Sequence, residues 1–469
     1  SWRTSMFCRT GIVLALLLGL SAGAYASNLS KAFDGYVTSV TSQDQFQIGS
    51  RQVRANSKTS RQSAPNDRKT DAYVDPVVRV GSRLHIEGSF DKRTGEFVAS
   101  SIAFLPETDW GGDPNNAIDD TGLIEETPAL RAGNGAAGTL WVEGYPLKVT
   151  PQTRLLSEDG KDILTDQIHA GMWASFKGKW LPDHSMEVLS IKFLPNTITP
   201  DEVKFRDKSE PEIELPDYAN HKPGKIKGHL KWTLNILPDQ AIQDYVTRVG
   251  EGLIPQYQRD LPASDPAKIN FRFYVVEKPS RWKEVLNDAS ATPGGIIVVP
   301  DNVLAALDNE AQLAAILSNC IATTLDKQLF VHRARLKTQN IVGWASDFAG
   351  FYGLPVGIGD GIAAGKLAVQ MNKRASRIGL RYMLNAGYDI RVAPFAWTVA
   401  ANNKAHNPRE AGLLPSGLTQ SLMGDLYYDY ASTDYSRLKT NREDYQKMLA
   451  ELRAVAPKLP KPKNHPEPK

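Results

Sequence analysis

Two small all-β modules followed by an α+β, mostly helical domain is the multidomain architecture this sequence predicts, and three observations carry it. Between Asp34 and Pro106 apolar and polar residues alternate in short runs with glycine at the corners (GYVTSV, DQFQIG, VVRVGSRLHIEGSF, GEFVASSIAFLP). That is the period-two signature of antiparallel strands buried on one face. The pattern then returns. Val80–Phe90 (VGSRLHIEGSF) aligns with Ala170–Trp180 (AGMWASFKGKW), so that Gly81 and Gly88 match Gly171 and Gly178, and Ile102–Pro106 (IAFLP) matches Ile191–Pro195 (IKFLP). From about Leu234 the period changes to that of helices, in DQAIQDYVTRVGEGLIPQYQRD, DNEAQLAAILSNCIATTLDKQLFVHRARLKT, AAGKLAVQMNKRASRIGLRYMLNAG and NREDYQKMLAELRAV. Only NFRFYVVE and GGIIVVP interrupt them as strands.

Taken in order, the chain opens with Arg3 and Arg9, the apolar run GIVLALLLGL and small residues ending in Ala24-Tyr25-Ala26. This reads as a secretory signal, residues 1–26, cleaved near Ala26; the apolar run is shorter than the roughly 20 residues a bilayer span needs. The mature protein is thus expected in the periplasm or outside the cell. The first β-module is assigned to 31–106, with an inserted polar loop near SRQSAPNDRKTDAY. A Pro-, Gly-, Asp- and Asn-rich linker follows over 107–135, then the second module over 136–195. Earlier strands are expected to correspond as well, GYVTSV with GTLWV and QIGSRQVRANSKT with VEGYPLKVTPQT. A charged, Pro-punctuated linker spans 196–233, the helical domain 234–456, and a disordered Pro- and Lys-rich tail 457–469. The paired modules resemble a small bacterial domain family of uncharacterised function, often tandem in exported proteins, which implies OB-like barrels.

Composition narrows the partners. The 469-residue chain has a formal charge of +3, of which Arg3 and Arg9 carry two, leaving about +1 after cleavage. A near-neutral chain gives no electrostatic case for nucleic acid or an anionic membrane. Beyond the signal one thiol remains, Cys320, so no internal disulfide is expected.

The helical domain carries the chemical question. The stretch NDASATPGGIIVVPDNVLAALDNEAQLAAIL holds Asn287, Ala291, Pro293, Gly294, Gly295, Ile296 and Val298 ahead of an acidic-apolar run, and a later helix leads into Gly379, Leu380, Met383 and Ala386-Gly387-Tyr388-Asp389. This order resembles the gluzincin metallopeptidases of the CAAX prenyl protease, HtpX and BepA type. The resemblance implies a zincin-like fold and a substrate-binding edge strand over Pro293, Gly294, Gly295, Ile296, Ile297 and Val298. It also implies a His-Glu-x-x-His helix, a Glu ligand and a bracing Asp, with zinc as cofactor. Where the first motif belongs, the chain reads Asn319-Cys320-Ile321-Ala322-Thr323; Asn372 and Ser376 stand at the Glu and Asp positions. Near the C-terminus Ser432–Leu438 (STDYSRL) occupies the place of S-T-H-P. Two imidazoles one turn apart and a carboxylate are what zinc and its water require, and amides and hydroxyls supply neither.

No histidine pair stands at ligand spacing, and His332 falls in the charged stretch FVHRARLK. Cys320 sits in the catalytic Glu position, but a nucleophilic thiol needs a neighbouring base, and on an apolar helix it reads as core filling. Ile341–Met371 is Gly-rich and apolar but broken by Asp347, Asp360 and Lys366, which favours a helical hairpin over the old site, with peripheral membrane contact as the lesser reading. The expectation is therefore an exported pseudopeptidase without a cofactor that binds an extended peptide or envelope protein. The alternatives are an active zinc metalloendopeptidase, or a cell-wall or carbohydrate binder using Trp141, Trp173 and Trp180 of the β-modules.

Overall fold

The computed structural model describes residues 32–63, 76–105, 117–333, 366–396, 417–456 and 459, apart from residue 129 and the segments 131–136, 182–185, 229–232 and 278–288. The expected signal 1–26, most of the inserted loop, most of Ile341–Met371 and nearly all of the tail lie outside the described residues.

The first module is built from β1 (Ala32–Ser42), β2 (Gln45–Ile48), β3 (Arg51–Arg54), β4 (Ser60–Ser63), β5 (Arg83–Asp91) and β6 (Glu96–Leu105). The order β3-β2-β1-β5-β6 closes on itself because β3 also pairs with β6 in parallel, Val53 opposite Phe97, giving a five-stranded barrel; β4 pairs alongside β6. Alternate residues point inward, so Phe46, Ile48, Val53, Leu84, Ile86, Phe97, Ile102 and Phe104 form its core.

The second module repeats the plan with β7 (Ala117–Leu123), β8 (Gly138–Val142), β9 (Tyr145–Val149), β10 (Arg154–Leu156), β11 (Trp173–Trp180) and β12 (Met186–Leu194). Its order is β7-β11-β12-β9-β8, and a bridge between Ile124 and Val142 closes the ring around Leu140, Leu147, Phe176, Trp180, Ile191 and Phe193. The repeated glycines have steric reasons. A Cβ on Gly88 would stand 2.1 Å from the Val98 carbonyl oxygen, and one on Gly178 2.6 Å from that of Glu187, while Gly81 and Gly171 both adopt φ +86°.

The boundary of the second module needs correcting. Strand β7 lies inside the stretch read as linker 107–135, so the module starts at 117 rather than 136. Hydrogen bonds fix the equivalence: Val37 N–H donates to Ser82 O and Gly81 N–H to Val37 O, and Ile124 makes the same pair of bonds with Met172 and Gly171. Gly35-Tyr36-Val37 therefore corresponds to Gly122-Leu123-Ile124, and GTLWV takes the place of the strand that follows. The sequence of β7, AIDDTGL, lacks alternation; it is a strand because β11 pairs with it from Ala117 to Leu123. The second expected linker, 196–233, is likewise structured, containing α1 (Pro200–Lys208), β13 (Glu212–Glu214) and β14 (Gly224–Lys227).

The third sheet adds β15 (Thr233–Ile236), β16 (Arg272–Val276), β17 (Ser290–Ala291) and β18 (Ile296–Pro300) in the order β13-β14-β15-β16-β18-β17. Around it stand α2 (Gln240–Leu253), α3 (Gln256–Asp260), α4 (Asp301–Ala306), α5 (Glu310–Leu325), α6 (Gln328–Val331), α7 (Lys366–Asn385), α8 (Gly417–Asp429) and α9 (Arg442–Val455). Helix α5, apolar on nearly every side, is buried along its whole length at the centre. Among the described residues no helix is long and apolar enough to cross a membrane.

Candidate functional site

Helix α5 starts where Asn309, as N-cap, accepts the Gln312 N–H at 3.0 Å. It then crosses α7 closely, because Gly379 has no side chain: a Cβ there would stand 2.7 Å from Ser318 Oγ. At this crossing Asn319 Nδ2 donates to Asn372 Oδ1 at 2.9 Å and to Ser376 Oγ at 2.8 Å. All three residues are buried, 8%, 6% and 3% exposed. Three of the five positions singled out in the sequence thus converge, one from α5 and two a turn apart on α7.

The remaining two stay on their own helix. Thr323 Oγ1 donates back to the Asn319 carbonyl at 2.9 Å, and Cys320 is a buried thiol. His332 ends α6, partly exposed beside Arg333, and Asp434, where S-T-H-P would place its His, turns its carboxylate to Ser436 and Arg437. Among the described residues no three His, Cys, Asp or Glu side chains group at metal-binding reach. The donor set itself fits zinc poorly, since primary amides and a hydroxyl already satisfy one another. The cluster offers neither a general base nor an activated nucleophile.

The expected edge strand is corrected. Pro293, Gly294 and Gly295 form a tight turn, with Gly295 at φ +95°, and Ile296, Ile297 and Val298 lie in β18, the next-to-last strand of its sheet. Its outer side is hydrogen-bonded to β17, with Ser290 opposite Val298 and Ala291 opposite Ile297, while β16 pairs on the inner side. Position 287 lies outside the described residues. The apolar run misled because β18 is buried on both faces, which gives the same composition whether a strand is edge or interior.

Two features escaped the sequence reading. Glu310, in the acidic-apolar run, is fully buried and accepts hydrogen bonds from Tyr245 Oη and Tyr388 Oη (2.6 Å each), Asn441 Nδ2 (2.7 Å) and Arg248 Nη2 (3.0 Å). Burial pushes its carboxyl up, but these donors together outweigh it and hold the group below the usual range. Tyr388 of the AGYD turn thereby acquires a structural duty. The second feature is the opposite flank of α7, where Arg374, Arg377 and Arg381 recur at three- and four-residue spacing. That spacing was the available signal, since it puts three guanidiniums on one stripe.

These arginines dock the second barrel. Arg374 grips Asp326 with two bonds (Nε to Oδ2 at 2.5 Å, Nη2 to Oδ1 at 2.8 Å) and stands 2.6 Å from Glu143 Oε1. Arg377 donates to the Glu143 carbonyl at 2.8 Å and lies 3.6 Å from the centre of the Tyr145 ring. Arg381 pairs with Glu126 at 2.5 Å and lies 3.8 Å from the Trp141 ring. Beneath them Glu125 Oε1 accepts the Gly144 N–H at 2.6 Å. Burial pushes the Glu125 carboxyl up to about 8, against the pull of Gly144 and Arg381. Glu143 is also raised by burial, despite Arg374 and Arg377.

The three tryptophans named for sugar stacking differ in setting: Trp180 is buried, while Trp141 and Trp173 are partly exposed. Trp180 fills the second barrel, Trp141 stacks on Tyr430, and Trp173 donates to Asn196 with Lys327 above its ring.

Comparison with known proteins adds one match: a family described as a domain of unknown function, DUF5666, covers residues 34–103. That span falls within the first module. No curated protein matches the chain.

Proposed function

We propose that this chain is an exported, non-catalytic binding protein in which two OB-like barrels are joined to a zincin-like domain of the gluzincin type that lacks its metal centre. Its role is to hold an extended peptide or envelope protein, as a scaffold or as a regulator of an active relative. The observation that carries the reading is the closed contact of Asn319 with Asn372 and Ser376. Side chains at two of the positions where the resemblance expects zinc ligands, Asn319 and Asn372, meet across α5 and α7 beside Ser376, and they meet as neutral, hydrogen-bonded groups. An active endopeptidase would have to coordinate zinc through the Asn319 and Asn372 amides and the Thr323 hydroxyl, a set foreign to that ion.

Strand addition to β18 is not the binding mode to expect, since β17 and β16 already pair with it. The test is elemental analysis of the purified protein with a casein cleavage assay, alongside a pull-down from bacterial envelope extract. Sub-stoichiometric zinc, no chelator-sensitive cleavage and a retained peptide or protein are expected. Stoichiometric zinc with chelator-sensitive proteolysis overturns the reading.

A further inference from the structure

Away from the α5–α7 crossing, a cleft of about 450 Å³ opens between the first barrel and the helical part. Its size falls in the range of small-ligand sites, and a junction between structural units is where such sites gather. The floor is apolar: Val40 is partly exposed, and Val78, Val80 and Leu426 are buried beneath it. The walls carry two guanidiniums, each held against a tyrosine: the Arg79 Cζ lies 4.7 Å from the Tyr427 ring centre, and that of Arg391 4.9 Å from Tyr435. A stacked guanidinium is pre-oriented and loses little freedom on binding.

Arg391 is further fixed by Asp389, to which Nε and Nη2 donate, with Nη1 3.5 Å from Ser39. Of the five donors a guanidinium carries, these contacts engage three. The acid on the rim, Asp434, is already engaged by Ser436 and Arg437. Tyr430 also lines the cleft; it is 2% exposed, and its hydroxyl has no hydrogen-bond partner among the described residues.

We infer that this cleft captures the free C-terminal carboxylate of a peptide whose last side chain is apolar, with Arg79 and Arg391 meeting the carboxylate and the accessible part of Val40 meeting the side chain. The inference rests on the peptide-binding function proposed above and names the site and the chemical end it selects. A fork of guanidinium N–H groups matches a carboxylate in two parallel bonds, the geometry that discriminates it from a neutral amide.

The probe is a fluorescein-labelled short peptide ending in Ala-Leu, prepared with a free carboxylate and with a carboxamide, titrated by anisotropy against the full chain. About tenfold weaker binding of the amide is expected. A similar loss is expected for Arg79→Met and for Ala431→Trp, the latter filling the exposed rim; thermal melts confirm folding of each. Equal binding of acid and amide, with both variants unaffected, overturns the cleft assignment and leaves peptide binding elsewhere intact. No binding of either peptide, together with nothing retained from envelope extract, removes the cleft assignment and the function it rests on. Equal competition by inorganic phosphate at the same carboxylate-sensitive site also overturns it, because the apolar floor then contributes nothing.

Discussion

On the face of α7 that meets α5, Asn372, Ser376 and Gly379 present an amide, a hydroxyl and no side chain; on the face that meets the second barrel, Arg374, Arg377 and Arg381 present three positive charges. Both faces are buried, yet they hold their neighbours by different physics. The neutral face satisfies a few dipoles locally and lets two backbones approach. The charged face must balance each buried ion with another from a distant part of the chain. A neutral contact that loses one member leaves a dipole unpaired, whereas a charged seam that loses one member leaves a desolvated ion. The first face thus carries no charge, and the charge of this helix goes into holding the second barrel.

That contrast can be broken most forcefully at Arg374. Arg374→Met leaves Asp326 buried without its main counter-charge and takes away the guanidinium beside Glu143, and should destabilise the chain by about 3–5 kcal/mol in urea unfolding. A loss under about 1 kcal/mol would mean that the seam behaves like a surface ion pair.

The next effect is pH. The Glu125 carboxyl lies at about 8 in the folded chain against 4.5 when unfolded, so the folded state keeps a proton that the unfolded state has released. Its contribution is complete below 4.5 and disappears as pH rises through 8, on the order of a few kcal/mol. Glu143 acts in the same direction. Glu310 acts in the opposite one, its stabilisation present above 4.5 and lost on acidification. Glu125→Gln should flatten the alkaline slope of stability against pH while keeping an acceptor for the Gly144 N–H.

On the neutral face, Asn319→Ala removes the donor to Asn372 and Ser376 and should cost about 1–3 kcal/mol, without the pH dependence of the seam. Smallest of all is the coupling between faces. Among the described residues Asn319 and Arg374 share no hydrogen-bond or ion-pair partner, so the double variant Asn319→Ala with Arg374→Met should be additive within about 0.5 kcal/mol. A larger coupling energy would show that the helix transmits strain between them.

The sequence made some of this legible and hid the rest for identifiable reasons. Period-two alternation located β5, β6, β11 and β12, and the glycine matches at 81, 88, 171 and 178 correspond to two left-handed turns and two close backbone approaches. Strand β7 was hidden because a barrel can recruit a segment with acidic residues when its partner strand supplies the pairing. The meeting of Asn319 with Asn372 followed from matching two separate helices to one family pattern, which no local rule could supply. The interior position of β18 was invisible because a pair of residues, Ser290 and Ala291, suffices to cover an edge. The seam was half legible: the arginine stripe is in the sequence, but Glu143 and Asp326 lie far from it along the chain.

The turn joining β8 to β9 places Glu143 at φ 58° and Gly144 at φ 74°, a two-residue hairpin of the primed kind. A Cβ on Gly144 would stand 2.6 Å from Arg377 Cγ, so the turn lies directly on α7. Glu143 therefore accepts a backbone conformation that disfavours its own side chain, and offers both its carbonyl and its carboxylate to arginines that the barrel does not own. A segment with such dependence makes a poor transferable cassette. Moved into another protein, the second barrel would keep this contorted turn but lose the Arg374 and Arg377 contacts that meet it.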